Sequence, residues 1–305
     1  MFFFSIIIPT FNDLNNLKRC LRGVYKQTFH DYEIIIINDG SSDETKFFLN
    51  SLNKKNITII NLEKNKGPAF SRNLGINSCK GFWVAFLDSD DFWLKDKLQI
   101  TFNNIQLNDN FEVFCHNQYR KEKSTRKIKK LYTGPYKDKF YNNLILEGNC
   151  LITSATIIKK DFLIKNNIFF RTEKRYYSVE DYDLWLNLAM INARFFFIKN
   201  FLGFYCIHNN NITNNILKHK KNYLFLLYNH VFKKQNFEKN KFRLWKIIYC
   251  KYLIELIVIN IFYINNLIKG LSLFFRSIKK YRLLFIISLF NYLKLKINTS
   301  LRKFK

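Results

Sequence analysis

Carboxylate side chains follow two of the apolar segments that the sequence predicts to be strands. Asp39 follows the Ile-rich run Tyr32–Ile37, and Asp88 and Asp90 follow Phe82–Leu87 within an Asp-Ser-Asp-Asp sequence. In an open parallel sheet, ligands bind outside the carboxyl ends of the strands. A phosphate-bearing ligand needs a cation between itself and these acids. The spacing therefore indicates a divalent metal that bridges carboxylate and diphosphate oxygens.

Each of these acids also has an ordinary structural explanation. Asp39 precedes Gly40, and Asp-Gly is a common turn sequence. The acids at 88, 90 and 91 could instead cap the following helix. Three like charges repel one another at short range, which favours a metal site. A metal site and a helix cap both stay open as explanations of this cluster.

The segments that must position these acids alternate between strand and helix patterns. Continuous apolar runs at 2–8, 32–37, 57–62 and 82–87 predict buried strands, and apolar residues at helical spacing predict helices between them. Short connections between alternating strands and helices predict an α/β fold with a doubly wound, mostly parallel sheet. Arg120–Lys130 is a charge run without apolar periodicity and is predicted to be a mobile loop.

The composition restricts the class of protein. The chain has 305 residues, and its 48% hydrophobic content suffices for a large core and excludes a disordered chain. Six scattered cysteines without a Cys-x-x-Cys pair favour reduced thiols and exclude a disulfide framework. The apolar run at the amino terminus stops at Ile8 and Pro9, so it predicts a first strand and not a secretory signal.

Five motifs occur in a fixed order along the chain. They are PTFN, INDGSSDET, NKGPAFSRNLGI, FLDSDD and EDYDLWLNLA. In this order, and on these elements, they resemble the family-2 inverting glycosyltransferases, which have the A-type nucleotide-sugar transferase fold. The resemblance covers roughly residues 4–215. It implies a nucleotide-sugar-binding and catalytic domain over residues 1–215 and leaves 216–305 as a separate helical region.

The resemblance implies a site for a nucleotide-sugar donor, with UDP as the favoured nucleotide. Asp39 matches the carboxylate that accepts a hydrogen bond from the uracil ring, and Arg72 matches a basic residue near the base or the phosphates. In the matched D-x-D motif, the first acid holds ribose or sugar hydroxyls and the second binds Mn²⁺ or Mg²⁺ on the diphosphate. That metal offsets the charge on the leaving UDP. The expected donor residues are Thr10, Phe11, Asp39, Arg72, Asp88, Ser89 and Asp90, and the expected metal ligands are Asp90, Asp88 and His208.

The resemblance also implies the catalytic acids. Asp181 matches the general base, which takes the proton of the acceptor hydroxyl opposite the departing diphosphate. Glu180 is expected to shape the environment of that base, and Asp183 to be structural. Alternatively, Glu180 and Asp181 only complement the amino terminus of a helix.

One loop departs from the family pattern. Many members have an arginine two residues before a histidine that lies near the metal, and Cys206 replaces that arginine here. A second diphosphate contact from this loop is therefore not expected. For His208, a metal ligand and a structural residue stay open as alternatives.

The region 216–305 is strongly basic and aromatic. It contains 20 Lys and Arg against Glu238 and Glu255, a net charge of +18 out of +27 for the chain. Ser272–Lys294 mixes aromatic and basic residues, which is typical of helices on an anionic membrane surface. The residues expected to bury in lipid there are Phe274, Phe275, Leu283 and Phe285.

Two other structures are open for this region. One is a basic helical subdomain that packs away from any membrane. The other is a spanning helix within Trp245–Ile268, although a central Glu255 makes such a span costly.

The leading prediction is a metal-dependent inverting glycosyltransferase. It would be cytoplasmic and peripheral on the inner face of the cell membrane, and would use a lipid-linked glycan acceptor of surface polysaccharide or lipopolysaccharide biosynthesis. A catalytically idle carbohydrate- or lipid-binding protein on the same fold is a second interpretation, which the intact Asp88, Asp90 and Asp181 disfavour. A basic nucleic-acid-binding protein is the third, but no nucleic-acid module is recognisable.

Overall fold

The chain forms two compact units, Met1–Asn215 and Ile216–Lys305. The first contains the sheet, and the second is helical. The computed structural model describes side chains up to residue 294 and covers residues 2–52, 55–122, 127–134, 138–208 and 215–301.

Among its described residues, the first unit contains a nine-stranded sheet and seven α-helices. The strands are β1 (Phe4–Thr10), β2 (Tyr32–Asn38), β3 (Ile57–Asn61), β4 (Trp83–Phe86), β5 (Phe92–Trp93), β6 (Val113–Glu122), β7 (Ile128–Leu131), β8 (Thr156–Lys159) and β9 (Phe195–Ile207). The helices are α1 (Leu14–Tyr25), α2 (Thr45–Asn50), α3 (Pro68–Ser78), α4 (Lys97–Leu107), α5 (Phe140–Glu147), α6 (Lys160–Lys165) and α7 (Glu180–Met190).

The strand order is β3-β2-β1-β4-β8-β6-β9-β5, with β7 paired to β6. The neighbours among β1 to β4 run parallel, as the alternation of strands and helices predicts. β8 runs antiparallel to both β4 and β6, and β9 runs parallel to β6. The sheet is mixed and mostly parallel, which confirms the predicted fold class.

The centre of the sheet is buried on both faces. Every residue of β1 and β2 is buried, as expected for continuously apolar strands with helices on each side. α1 covers one face with Leu17, Leu21 and Val24. α3 packs on the other face, so closely to β1 that a Cβ on Gly75 would lie 2.5 Å from Cγ2 of Ile7.

The carboxyl ends of six strands, β1 to β4, β6 and β9, lie at one edge of the sheet. Because β8 is antiparallel to both β4 and β6, the strands β6 and β9 run in the same direction as β1, β2 and β4. At this carboxyl edge, Thr10 ends β1, Asp39 follows β2, and Asp88 lies in the loop after β4. The polar residues that the sequence predicted to lie at one edge therefore do so.

The charged segment Arg120–Lys130 differs from its prediction. β6 continues into this segment and pairs antiparallel with β7, so the described part is a β-hairpin and not a loop. Residues 123–126 lie outside the described residues. Aromatic packing supports the hairpin despite its charges, since the Tyr119 ring stacks on Phe201 with centroids 4.9 Å apart.

The described part of the second unit contains three long helices, α8 (Ile216–Asn229), α9 (Lys241–Phe262) and α10 (Leu267–Leu301). The helix α10 is interrupted at Arg282, where φ is 46° and ψ is −126°. Buried Phe285 of α10 lies in one apolar cluster with Cys250 and Ile254 of α9. Glu255, the acid that makes a membrane span costly, pairs with Lys220 of α8 at 2.5 Å.

The aromatic residues expected to enter lipid are divided between two faces of α10. Phe285 is buried and Phe274 packs against the same cluster, so for these two residues the expectation is wrong, because they form the core of the helical unit. Phe275 and Leu283 are 65% and 67% exposed. The apolar periodicity of α10 therefore includes both a packing face and an exposed face.

The candidate spanning segment Trp245–Ile268 is not one helix. It ends as α9 at Phe262, and a turn separates it from α10. Among the described residues, no helix combines the length and apolarity that crossing a bilayer requires.

Candidate active site

The loop after β4 carries three acids, and each has a separate partner. Asp88 Oδ1 lies 2.7 Å from Arg72 Nη2, and Asp90 Oδ2 lies 2.8 Å from His208 Nε2. Asp91 is buried, and its Oδ1 accepts a backbone N–H from β9 at 2.8 Å. Burial, followed by the charges of Asp90 and Asp88, raises the pKa of Asp91 well above its usual value. These separate partners offset the electrostatic repulsion among the three acids that the sequence indicated.

Residues of α1 and its amino-terminal flank hold the same loop from the other side. Ser89 Oγ donates to Asp13 Oδ2 at 3.1 Å, and Arg19 Nη2 donates to the backbone oxygen of Asp90. Burial raises the pKa of Asp13, and its hydrogen bonds oppose that rise. Sequence reasoning missed Asp13 and Arg19 as site residues, although Asp13 directly follows the PTFN motif.

Arg72 connects this loop to the start of α7. It is 5% exposed, and Nη1 donates to Glu180 Oε1 at 3.1 Å while Nη2 donates to Asp88. Burial alone would lower the pKa of Arg72, but Asp88 and Glu180 raise it above its ordinary value. The guanidinium therefore stays charged and is engaged by two acids, a role that its motif did not indicate.

Asp181 is the partly exposed member of the acid pair in α7, and Glu180 is buried. Asp181 Oδ1 accepts the Tyr182 N–H at 2.6 Å, and Oδ2 accepts from Thr153 Oγ1 at 3.5 Å. Burial, followed by the charge of Glu180, raises the pKa of Asp181 to about 7, against an opposing effect of Arg72. A carboxylate with this pKa is suited to accept a proton near neutral pH.

The loops after β1 and β2 form the other end of the carboxyl edge. Asp39 is buried and accepts the backbone N–H groups of Lys66 and Gly67 at 2.7 and 2.8 Å. Burial raises the pKa of Asp39, and these two bonds oppose the rise. Thr10 Oγ1 is buried without a hydrogen-bond partner among the described residues, and Phe11 is 44% exposed. A hydroxyl, a carboxylate and an exposed ring are thus available to a flat polar ligand.

Asp90 and His208 fit a divalent metal. Their side chains are 23% and 17% exposed, and the facing oxygen and nitrogen atoms lie 2.8 Å apart. Carboxylate oxygen suits Mg²⁺ and Mn²⁺, and imidazole nitrogen suits first-row transition metals. No cluster of three or more His, Cys, Asp or Glu able to hold a metal occurs in the described part of the chain. The pair can supply two ligands, so substrate oxygens or water must supply the others.

The segment that builds this edge also matches a known protein family. A family model described as Glycosyl transferase family 2 matches residues 5–166, which is more than half of the chain. The chain belongs to glycosyltransferase family 2. The family predicted from the five motifs is confirmed, and so is the enzyme class, glycosyltransferase.

Two relatives illustrate the range of this family. An uncharacterised glycosyltransferase of Rickettsia felis is 36% identical over 191 residues, and the match covers 62% of this chain but 30% of the relative. The chain thus spans about a third of the length of that relative. The Escherichia coli UDP-Glc:alpha-D-GlcNAc-diphosphoundecaprenol beta-1,3-glucosyltransferase WfgD is 30% identical over 229 residues, covering 71% of this chain and 82% of WfgD.

The fold is shared with a solved glycosyltransferase. S. aureus TarS 1–349, in complex with UDP-GlcNAc, superimposes with a TM-score of 0.64 at 18% sequence identity. The match covers 84% of this chain and 81% of the TarS chain. At this identity the likeness shows the fold, and the residues of the site must be judged on their own geometry.

The raised pKa of Asp181 predicts a pH-dependent effect of Asp181→Asn on stability. The folded protein holds this proton more tightly than the unfolded chain, whose ordinary pKa is 3.8. The stability that the protonated carboxyl contributes is therefore complete below pH 3.8 and is lost as the pH rises to about 7. Asparagine does not titrate, so the variant does not lose this stability as the pH rises. The difference in Tm, variant minus wild type, should therefore be larger at pH 8 than at pH 5.

Asp161→Asn is the matched control, because it removes an exposed acid from the first turn of α6. Its Tm difference from the wild type should be the same at both pH values. An equal Tm difference for Asp181→Asn at pH 5 and pH 8 would contradict the raised pKa.

Proposed function

We propose that this chain is an inverting glycosyltransferase that moves a sugar from a UDP-sugar to a hydroxyl of a lipid-linked glycan. One set of contacts carries the proposal. Arg72 donates hydrogen bonds to Asp88 of the D-x-D segment and to Glu180, and the charge of Glu180 acts on the adjacent Asp181. Family membership supports the class of reaction. The name of the E. coli relative, which states UDP-glucose and a GlcNAc-diphosphoundecaprenol acceptor, supports the substrates.

In this proposal the donor lies along the carboxyl edge. Thr10 and Phe11 contact the base, and Asp39 accepts a hydrogen bond from it. Ser89 and Asp88 bind hydroxyl groups of the ribose or the sugar. Asp88 Oδ1 is engaged by Arg72, but the side chain is 29% exposed and keeps its second oxygen for the donor.

Asp90 and His208 are the proposed metal ligands. Mn²⁺ or Mg²⁺ held there would offset negative charge on the diphosphate leaving group. Asp88 stays with Arg72 and binds hydroxyl groups instead of the metal, which refines the expected ligand set. Arg19 fixes the backbone of the same loop and so keeps the Asp90 carboxylate directed to His208.

Asp181 is the proposed general base. It takes the proton of the acceptor hydroxyl while that oxygen forms a bond to the anomeric carbon. The bond from this carbon to the diphosphate oxygen breaks, and its electron pair leaves with UDP. Because attack and departure occur on opposite faces, the anomeric configuration inverts. Burial, followed by the charge of Glu180, raises the pKa of Asp181 and makes it a stronger base.

The exposed apolar side chains of α10 are the proposed membrane contact of a peripheral enzyme on the inner face of the cell membrane. Phe275, Leu283 and Phe290 are 65%, 67% and 70% exposed, and exposed Lys279 and Lys280 lie on the same helix. Burial of apolar area in lipid and attraction to anionic headgroups then act together. A surface-bound enzyme would meet an acceptor whose lipid is in the bilayer.

The assignment of the base predicts how turnover responds to mutation and pH. Asp181→Asn keeps the shape of the side chain but cannot accept a proton, so kcat should fall by about 10²–10⁴-fold. In the wild type, kcat should fall roughly tenfold per pH unit below about pH 7, because only ionised Asp181 is a base. UDP release from UDP-glucose with a GlcNAc-diphospholipid acceptor measures both effects.

Asp161→Asn is again the control and should keep the turnover of the wild type. NMR of the product should show an anomeric configuration opposite to that of the donor. Wild-type turnover by Asp181→Asn, or retention of configuration, would refute the assignment. A wild type that binds UDP but releases no product would favour the catalytically idle interpretation.

The proposed ligands predict that metal strengthens nucleotide binding. Titration calorimetry should show tighter UDP binding with Mn²⁺ than with a chelator, and Asp90→Ala should remove that difference. Asp109→Ala, an exposed acid after α4, should preserve it. Equal UDP affinity of the wild type with and without metal would contradict the metal site.

The proposed membrane face predicts salt-sensitive binding to anionic vesicles. Phe275→Ser combined with Lys279→Glu and Lys280→Glu changes exposed side chains only and leaves the Phe285 cluster intact. This variant should no longer sediment with phosphatidylglycerol vesicles at low salt, where each lysine adds about 1 kcal/mol to the binding free energy. Lys95→Glu with Lys165→Glu, on exposed positions of the first unit, should retain binding. If the wild type does not bind the vesicles, that result would favour a helical unit that packs away from the membrane.

A further inference from the structure

The β6–β7 hairpin extends the sheet beside the end of β9. In the parallel pair of β6 and β9, Arg120 lies next to Tyr205. On the other side of β6, Arg120 lies opposite Lys129 of β7. Neighbouring strands are about 4.8 Å apart, so Arg120 is one strand and Lys129 two strands away from Tyr205.

Tyr205 relates this position to the reaction centre. Burial and four nearby acids raise the pKa of Tyr205 above its ordinary value; in order of effect, these acids are Asp91, Asp90, Asp88 and Asp181. The next residue, Cys206, donates its backbone N–H to Asp91 Oδ1 at 2.8 Å, and His208 Nε2 lies 2.8 Å from Asp90 Oδ2. Tyr205 therefore lies in β9 beside the loop that carries the proposed metal ligand Asp90. Residues paired across neighbouring strands project from the same face of a sheet, so Arg120 projects from the face that carries Tyr205.

Glu122 keeps the two cations together on that face. Its Oε1 lies 3.1 Å from Arg120 Nη2 and 3.9 Å from Lys129 Nζ. The side chains of Arg120 and Lys129 are 43% and 51% exposed, so both can bind a further anion. Two cations against one acid leave a net positive charge at this place.

The opposite face of the hairpin is an aromatic support. The Tyr119 ring lies 4.9 Å from Phe201 and 5.1 Å from Phe204, measured between centroids. Lys130 Nζ lies 5.6 Å from the centroid of Phe201. Lys130 therefore has the charge of Lys129 but belongs to the other face, which makes it a matched control.

The charge of the hairpin is opposite to that of the reaction centre beside it. Residues 120–130 contain seven Lys and Arg and one Glu, whereas the loop after β4 supplies Asp88, Asp90 and Asp91, and α7 supplies Asp181. The diphosphate of the donor is already assigned to the Asp90–His208 pair. A second cationic site next to this centre therefore suits a second anionic substrate group, and Arg is well shaped for bidentate contact with phosphate.

We propose that Arg120 and Lys129 bind the diphosphate that joins the acceptor sugar to its lipid carrier. This inference rests on the proposed function, and it adds the residues that distinguish a diphosphate-linked acceptor from a neutral glycolipid. Glu122 holds both side chains in place and is a positioning residue. Arg120 and Lys129 take no part in proton transfer, so their effect is on acceptor selection and not on the chemical step.

The test compares two acceptors that differ only in the linker. One is GlcNAc joined to an alkyl chain through a diphosphate, and the other is the neutral alkyl glycoside of GlcNAc. The double variant Arg120→Gln with Lys129→Gln should lower kcat/KM for the diphosphate acceptor by roughly 10–100-fold, mainly through KM, since hydrogen bonds to charged groups are lost. It should leave kcat/KM for the neutral acceptor and the affinity for UDP unchanged.

Lys130→Gln is the control and should change kcat/KM for neither acceptor. Arg120→Lys in place of Arg120→Gln should recover part of the lost kcat/KM for the diphosphate acceptor. Equal losses on both acceptors, no loss on either, or weaker UDP binding would overturn the inference. Loss of binding to phosphatidylglycerol vesicles together with unchanged acceptor selectivity would also overturn it and assign the hairpin to lipid headgroups.

Binding without turnover separates this inference from the proposed function. Calorimetry with the diphosphate acceptor alone should give binding to the wild type and at least roughly tenfold weaker binding to the double variant. If the wild type turns over neither acceptor, the proposed function fails, and the same calorimetry still decides the role of the hairpin. Equal affinities of the wild type and the double variant for the diphosphate acceptor would refute the proposed role of Arg120 and Lys129.

Discussion

One buried cation holds the acids of the carboxyl edge together. The Arg72 guanidinium lies between Asp88, from the loop after β4, and Glu180, at the start of α7. A buried charge pair gains little stability overall, but removal of one partner leaves the other charge uncompensated and costs about 3–5 kcal/mol. Arg72 therefore fixes the loop after β4 relative to the start of α7 more than it stabilises the fold.

The electrostatics of the site follow from that arrangement. Burial raises the pKa of Asp181 most, Glu180 raises it further and Arg72 lowers it, so burial and two neighbours of opposite sign together set the pKa of the proposed base to about 7. On the far side of the loop, His208 Nε2 faces Asp90 Oδ2 at 2.8 Å. The loop after β4 is thus held by a cation at Asp88 and by an imidazole at Asp90.

The fold and the position of the candidate site residues at the carboxyl edge were largely predictable, because both follow from local sequence. Apolar runs mark the strands, and acids directly after them must lie at the edge where parallel strands end. The partners were not predictable: Arg72 and Glu180 are 108 positions apart, and no local period encodes such a contact. For the same reason Arg19 was missed. The hairpin of β6 and β7 was mistaken for a loop because its aromatic support, the stacking of Tyr119 on Phe201, also joins residues distant in sequence. In α10, periodicity identified an apolar helix but did not separate the face with Phe285 from the face with Phe275.

Close packing of α3 on β1 has a consequence for genetics. A Cβ on Gly75 would meet Ile7 at 2.5 Å, so almost any replacement must lift the helix from the sheet. Arg72 lies one turn earlier on α3 and would move away from both of its acids. An allele with a larger residue at this glycine would resemble a lesion of the catalytic centre in a screen, although Gly75 has no side chain to contact a substrate. Second-site suppressors would then arise at Ile7, as smaller residues that let the helix return.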